Sequence, residues 1–234
     1  MCKHLGWKGL VLCAALASAS PALAQQHTVN FTIGGFVPRS EHSRVAGDVI
    51  NEDHTFLVFD GDEFKSVTVG GEWLFPIGHF LEGGAGVSFT HATVPTVYSC
   101  CVDNAGREIE QELRLRRTPI DLTFRFLPLG GSSPVQVYFG GGLSIIPWRY
   151  SEAGDFIDFN DNGNVFRDEF VGTGTATGGV VLGGVRFQSR GAAAGFEARY
   201  HKADSSFDSS DDEFAGSKID LGGWSYQGTI GFRF

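Results

Sequence analysis

Apolar and polar residues alternate with a period of two along most of this chain. The closing segment shows the pattern best, since one of its faces carries Trp224, Tyr226, Ile230, Phe232 and Phe234 and the other carries polar residues. A period of two places successive side chains on opposite faces of a β-strand. The pattern therefore predicts strands with one apolar and one polar face.

Eight segments share this alternation. Many exceed the 5 to 6 residues typical of globular strands and match the roughly 9 to 11 residues that cross a bilayer at a tilt. We predict strands at residues 28–37, 66–76, 80–94, 113–127, 135–149, 174–188, 192–202 and 218–234.

The connections between these segments alternate between short and long. Short turns occupy residues 77–79, 128–134 and 189–191, and long connections occupy 38–65, 95–112, 150–173 and 203–217. Transmembrane β-barrels combine short periplasmic turns with long external loops. The sequence thus predicts an all-β fold, an eight-stranded antiparallel up-and-down transmembrane β-barrel formed by residues 25–234.

The first 24 residues have the pattern of a secretory signal. Lys3 and Lys8 precede an apolar run that covers residues 10–19, and Ala22-Leu23-Ala24 precedes Gln25. These are the charged region, the apolar region and the small-residue cleavage site of a signal peptide. We expect residues 1–24 to be removed on export.

Composition narrows the function classes. The 33 glycines among 234 residues disfavour long helices, and most glycine pairs lie inside predicted strands, where a closed barrel needs curvature. The net charge of -9 excludes a nucleic-acid partner. Without Lys3 and Lys8, 16 basic and 27 acidic residues leave a mature charge of -11, and 22 of those acidic residues lie in the four long connections.

The signal, the eight segments and a last strand ending Gly231-Phe232-Arg233-Phe234 resemble the small outer-membrane β-barrel family. That family includes the OmpA transmembrane domain, OmpX and OmpW. The resemblance implies a monomer in bacterial outer-membrane lipid. It also implies a signal for the barrel-assembly machinery carried by Tyr226, Phe232 and Phe234, although Thr229 stands where the family has glycine.

If the apolar face contacts lipid, the alternate face points into the barrel. Its charged residues are four acids and four bases: Glu72, Glu82, Asp121, Glu197, Arg125, Arg186, Arg199 and Arg233. An unpaired charge in such a place costs several kcal/mol, and eight strands enclose a lumen that side chains just fill. We therefore predict a mutually paired network that fills the lumen.

One acidic connection matches a calcium-loop pattern. Asp158, Asn160, Asn162 and Glu169 hold the ligand positions of D-x-[DN]-x-[DN]-G-x5-E, with Gly163 at the turn. Strands rather than helices flank it, however, and Phe166 takes a position that usually offers a polar group. The sequence favours a solvated acidic loop and no cofactor, with calcium binding as the alternative.

Cys100 and Cys101 are adjacent in an external connection. An exported protein meets an oxidising environment. A vicinal disulfide, an intermolecular bridge and free thiols all remain open at this point.

The chain has no His-Glu-x-x-His or Gly-x-Ser-x-Gly motif. His201 with Asp204 and Ser205 forms one local cluster near a predicted rim, but it lacks the His-x-Ser of the lipid A deacylases. We interpret His201 as a structural rim histidine and predict that the protein is not an enzyme.

These observations predict an integral outer-membrane barrel that serves envelope structure or surface binding. The alternative is transport, through a narrow channel or along a route by which small hydrophobic molecules leave sideways through the wall. A secreted ligand-binding barrel of the lipocalin type would need apolar residues inside, where this chain places its charges.

Overall fold

The structure is a computed structural model that describes residues 27–103, 105–158, 163–207 and 214–234. The predicted signal, residues 1–24, lies outside the described residues and stays a prediction. In the described part, the helices are α1 (Val49–Asp53) and short 3-10 turns at Glu41–Ser43 and Gly61–Phe64. None of these helices is long and apolar enough to cross a membrane.

Strands dominate the described residues. They are β1 (Thr28–Pro38), β2 (Leu57–Val58), β3 (Ser66–Pro76), β4 (Leu81–Val102), β5 (Glu108–Arg117), β6 (Ile120–Phe126), β7 (Val135–Asp158), β8 (Asn164–Gln188), β9 (Ala192–Lys202), β10 (Asp204–Ser206), β11 (Lys218–Asp220) and β12 (Gly223–Arg233).

Eight antiparallel wall strands close into a ring. Strands pair in the order β1, β3, β4, then β5 with β6, then β7, β8, β9 and β12, and β12 returns to β1 with Thr28 opposite Arg233. β5 and β6 act as one wall strand, since both pair with β4 and β7 on either side of Pro119. The predicted eight-stranded antiparallel barrel is confirmed.

Two of the predicted long connections are mostly strand. β7 and β8 pair continuously from Val135 opposite Phe187 to Asp158 opposite Asn164, and β4 with β5 continues to Val102 opposite Glu108. The loop boundaries predicted at residues 95–112 and 150–173 were therefore wrong. The sequence pattern changes where the apolar outer face ends, but ladder hydrogen bonds between strands need no apolar face to continue.

An apolar band surrounds the outside of the barrel. On β7 the outward residues from Val135 to Ile145 include Phe139 and Leu143, which are 56% and 65% exposed. Ten residues of strand span about 33 Å, or roughly 25 Å across a membrane at the usual tilt. That height matches the lipid-facing band of outer-membrane barrels.

The largest apolar core lies inside the external mouth of the barrel. Residues 49–64, which we call the plug, fold inward from the connection between β1 and β3. The plug buries Val49, Ile50 and Phe64. They pack against wall residues of β4, β5 and β7, among them Val94, Leu113, Trp148 and Tyr150.

A second external segment packs against the same core. It contributes Phe207 and Phe214, from the connection between β9 and β12. External segments thus close the mouth from above.

Gly142 of β7 allows β6 and β7 to approach closely. A Cβ atom at Gly142 would stand 1.9 Å from the carbonyl oxygen of Leu122. Gly142→Ala should force these strands apart at a cost of about 1–3 kcal/mol and lower the fraction that migrates as a folded barrel on an unboiled gel. Gly179→Ala is the matched control, because a Cβ there meets nothing within 4 Å. Equal folded fractions would contradict this account of the strand contact.

Candidate functional site

A network of buried charges occupies the lumen at the level of the apolar band. Arg125 of β6 is 1% exposed, and its Nη2 lies 2.6 Å from Glu72 Oε2 and 2.7 Å from Glu197 Oε2. The three side chains come from β3, β6 and β9. The structure thus places one arginine between two carboxylates that come from different strands of the barrel.

Arg199 of β9 extends the network. Its guanidinium donates to Asp121, to Glu72 at 3.1 Å and to Glu197 at 2.6 Å. Glu197 also accepts hydrogen bonds from Tyr138 and Gln227. Most of the polar capacity around Glu197 is thus satisfied inside the barrel.

A second pair lies towards the periplasmic end. Arg186 Nη2 donates to Glu82 Oε2 at 2.8 Å, and Gln136 accepts from the same guanidinium. Arg125 Nη1 stands 3.7 Å from Glu82 Oε1 and links the two groups. The structure therefore brings together seven of the eight predicted lumen charges: Glu72, Glu82, Asp121, Arg125, Arg186, Glu197 and Arg199.

Arg233 does not join the network. It stands at the end of β12, and its Nη1 donates to the carbonyl oxygen of Ser189 at 2.9 Å. Within the described ranges it has no carboxylate within 4 Å. The predicted inward face is compatible with this position, but a strand end leaves the side chain at the rim, where it turns to the 189–191 connection instead.

Arg117 supplies the fourth buried cation in place of Arg233. It is 2% exposed, and its guanidinium carbon lies 3.9 Å from the centroid of the Phe36 ring. Sequence reasoning missed Arg117, although the spacing of Arg117, Asp121 and Arg125 places all three on one strand face. That spacing was the signal that could have found it.

His201 is a lumen residue and not a rim histidine, so that interpretation was wrong. Its ring is 1% exposed, and Nε2 lies 3.1 Å from Asp121 Oδ1. Asp204 and Ser205 instead belong to β10, which pairs with β11. The three residues do not form a catalytic group in the described part of the chain.

A buried acidic pair holds the plug against the wall. The Tyr150 hydroxyl donates to Asp53 Oδ2 at 2.6 Å, and Asp53 and Glu152 are 0% and 5% exposed. Burial raises the pKa of Asp53 to about 7 and that of Glu152 to about 9. The charge of Asp53 raises the pKa of Glu152 further. Sequence reasoning missed this pair because Asp53 lies in a predicted loop.

The base of the plug is tied to the last connection. Arg44 pairs with Asp48, Asp48 Oδ1 accepts from the backbone nitrogen of Asp220 at 2.6 Å, and Arg39 donates to Asp220 at 2.8 Å. Asp48 and Asp220 are both buried. The plug is therefore held by charge-assisted hydrogen bonds as well as by apolar contact.

The calcium-loop residues are not gathered by the described structure. Asn160 and Asn162 lie outside the described residues. Asp158 ends β7 opposite Asn164, whereas Glu169 lies opposite Ala153, 3.9 Å from Arg114 and Arg149. No group of three potential ligand side chains is found among the residues described. Calcium binding stays a prediction.

Cys100 and Cys101 form a vicinal disulfide near the external end of β4. The structure thus adopts one of the three alternatives that the sequence left open.

The aromatic residues of the predicted assembly signal, Tyr226, Phe232 and Phe234, point outward and are 45%, 60% and 71% exposed. Their role as an assembly signal stays a prediction.

Comparison with known proteins identifies the fold. No protein-family model matches the chain, and no curated protein matches its sequence. The chain is similar in structure to the outer membrane protein OprG from Pseudomonas aeruginosa, with 13% identity, 90% of this chain and 96% of that chain covered, and a TM-score of 0.51. This similarity shows that the chain has the fold of the small outer-membrane β-barrels.

Two further solved structures resemble the chain more weakly. Neisserial surface protein A has 11% identity over 89% of this chain and 97% of that chain, with a TM-score of 0.45. Outer membrane protein W of E. coli has 15% identity over 91% and 100%, with a TM-score of 0.42.

Removal of Arg125 should destabilise the barrel far more than removal of Arg233. Arg125→Gln leaves the buried Glu72 and Glu197 with Arg199 as the one cation that contacts both in the described structure, and this loss costs about 3–5 kcal/mol of unfolding free energy. Arg233→Gln makes the same chemical change at the rim and should cost less than about 1 kcal/mol. Urea unfolding in lipid vesicles measures both, and equal costs would contradict the assigned network.

The plug should loosen as the pH rises from about 4 to about 9. The pKa values of Asp53 and Glu152 are raised in the folded state, so their contribution is present at low pH and is lost as pH rises through about 7 and about 9. Deuterium exchange of residues 49–64, corrected for intrinsic rates, should show protection falling from about pH 4, where the carboxyls of the open plug ionise, to about pH 9, with no further fall above that. Asp53→Asn with Glu152→Gln should abolish that change, and a pH-independent wild type would overturn the assignment.

Proposed function

We propose that this eight-stranded barrel of the small outer-membrane type lies in the bacterial outer membrane as a closed, non-conducting protein that serves envelope structure or surface binding. The outer apolar band and the polar lumen support insertion in lipid. The proposal includes export by the signal at residues 1–24, insertion by the barrel-assembly machinery and a monomer in lipid. It includes no catalytic activity.

The filled interior carries the proposal of a closed barrel. At membrane level the lumen holds the charge network, with the buried apolar residues Leu127, Tyr138 and Leu182 packed beside it, and the plug fills the external mouth. A cavity beside Glu72, Arg199 and His201 has a volume of only about 10 Å³, which is near the minimum for one water molecule. Side chains thus occupy the space that a conducting pore would need.

The external ribbons support a role at the cell surface. β7 and β8 continue as a paired ribbon for nine residues beyond Arg149, from residue 150 to residue 158, which is about 30 Å of strand. The β4–β5 ribbon carries exposed Glu108 and Glu110 on the same side of the membrane. Such projections offer backbone-rigid surfaces for contact with other molecules.

Planar bilayer recording tests the closed lumen. The refolded wild type should show no conductance steps at moderate voltage, because both the network and the plug must move before ions can pass. Clear steps would favour the transport alternative. A variant with residues 49–64 replaced by a short Gly-Ser linker is the informative companion, since it removes the plug but keeps the charge network. If this variant also shows no conductance steps, the charge network alone seals the lumen.

A further inference from the structure

A basic cluster lies on the outer wall of the barrel, above the apolar band. It consists of His91, Arg114, Arg116 and Arg149, which with Ser151 and Glu169 line a cavity of about 220 Å³. The Arg114 and Arg149 side chains are 43% and 49% exposed. The cluster is unexpected in a chain whose net charge is -9 and whose acidic residues concentrate on the same side.

Strand register places three of these side chains in one row. Arg116 of β5 lies opposite His91 of β4 and opposite Arg149 of β7. Side chains directly opposite one another in an antiparallel sheet are about 5 Å apart at Cβ, and like charges there are destabilising. The wall therefore keeps a repulsive arginine pair on its surface, which calls for a compensating interaction.

Nearby carboxylates neutralise the row only in part. Glu169 stands 3.9 Å from both Arg114 and Arg149, and Glu112 pairs with Arg114. Arg116 has no carboxylate within 4 Å in the described part of the chain, and its guanidinium carbon lies 5.8 Å from the centroid of the Phe89 ring. The cluster thus carries three arginines against two carboxylates, and an external anion would relieve the excess positive charge.

The height of the row indicates which anion it meets. Val87, Ile120 and Ile145 form the last aliphatic row of the lipid-facing band beneath the cluster. Arg149 follows Ile145 by four residues, which is about 13 Å along the strand and roughly 10 Å along the membrane normal. Lipid headgroups begin at the edge of the hydrocarbon core. The cluster therefore lies at headgroup level on the external side.

We propose that His91, Arg114, Arg116 and Arg149 bind the phosphate groups of a phosphorylated glycolipid of the outer leaflet. An arginine guanidinium can donate two parallel hydrogen bonds to the oxygens of one phosphate group. The acyl chains of the same lipid would lie below, along Phe89 and Val87, which are 41% and 49% exposed. The inference rests on the outer-membrane location in the proposed function and not on the closed lumen.

Titration with lipid A, a bisphosphorylated glucosamine lipid, tests this site. The refolded full chain in dodecyl maltoside is titrated calorimetrically with lipid A and with lipid A stripped of both phosphates. The test variant carries Arg114→Gln, Arg116→Gln and Arg149→Gln. The matched control carries Arg107→Gln, Arg167→Gln and Arg190→Gln, which are exposed arginines outside the cluster.

The wild type should bind lipid A, and both phosphate removal and the test variant should weaken binding by roughly tenfold or more. The control should bind within about twofold of the wild type, and millimolar inorganic phosphate should not compete, since free phosphate lacks the acyl anchor. Unchanged binding by the test variant would overturn the proposal. Heparin binding that exceeds lipid A binding would assign the cluster to a soluble sulfated polysaccharide instead.

Thermal unfolding without lipid A separates binding from stability. The test variant should melt at the same or a higher temperature than the wild type, because it loses the Arg116–Arg149 repulsion. A lower melting temperature with intact lipid A binding would show a purely structural role and overturn the site. A barrel that conducts yet binds lipid A contradicts only the closed lumen, and a silent barrel that ignores lipid A contradicts only this site.

Discussion

The structure depends on the requirement that a narrow, closed barrel satisfy its own buried charges. Glu197 on β9 accepts hydrogen bonds from Arg125, Arg199, Tyr138 and Gln227, which come from β6, β9, β7 and β12. Breaking one partner of such a group leaves an uncompensated charge. The ring brings these walls together, and the network in turn fixes the side chains that fill the ring. Closure and charge pairing therefore stabilise each other, and an open sheet could provide neither.

The wall reverses its polarity where it leaves the lipid. Along β7 the inward residues Gln136, Tyr138 and Ser144 give way to Ile146, Trp148 and Tyr150, while the outward face changes from Ile145 to Arg149. Within the membrane the outside must be apolar, so the inside is polar. Beyond it the outside meets polar surroundings, so the inside can form an apolar core. That reversal allows the plug to pack in the mouth, and it also places basic side chains on the wall at headgroup level.

The fold and most of the lumen could be predicted because period-two alternation reports which face a side chain occupies. The same alternation does not report height along the barrel, and for this reason Arg233 was placed in the lumen network although it stands at the rim, while the buried Arg117 was missed. The plug could not be predicted, since Val49, Ile50 and Phe64 follow no strand period and their burial depends on wall residues far away in sequence. The ribbon of β7 and β8 was missed for a related reason: its outer face becomes polar after Ile145, although its backbone pairing continues.

A double-mutant cycle between Arg125 and Glu197 tests the central claim most directly. The unfolding free energy in lipid vesicles is measured for Arg125→Met, Glu197→Gln and the double variant. Arg125 Nη2 lies 2.7 Å from Glu197 Oε2. If the two side chains pair in this way, the loss of unfolding free energy in the double variant should be smaller than the sum of the two single losses by about 2 kcal/mol or more. Additive costs, within about 0.5 kcal/mol, would contradict a lumen held together by mutually paired charges.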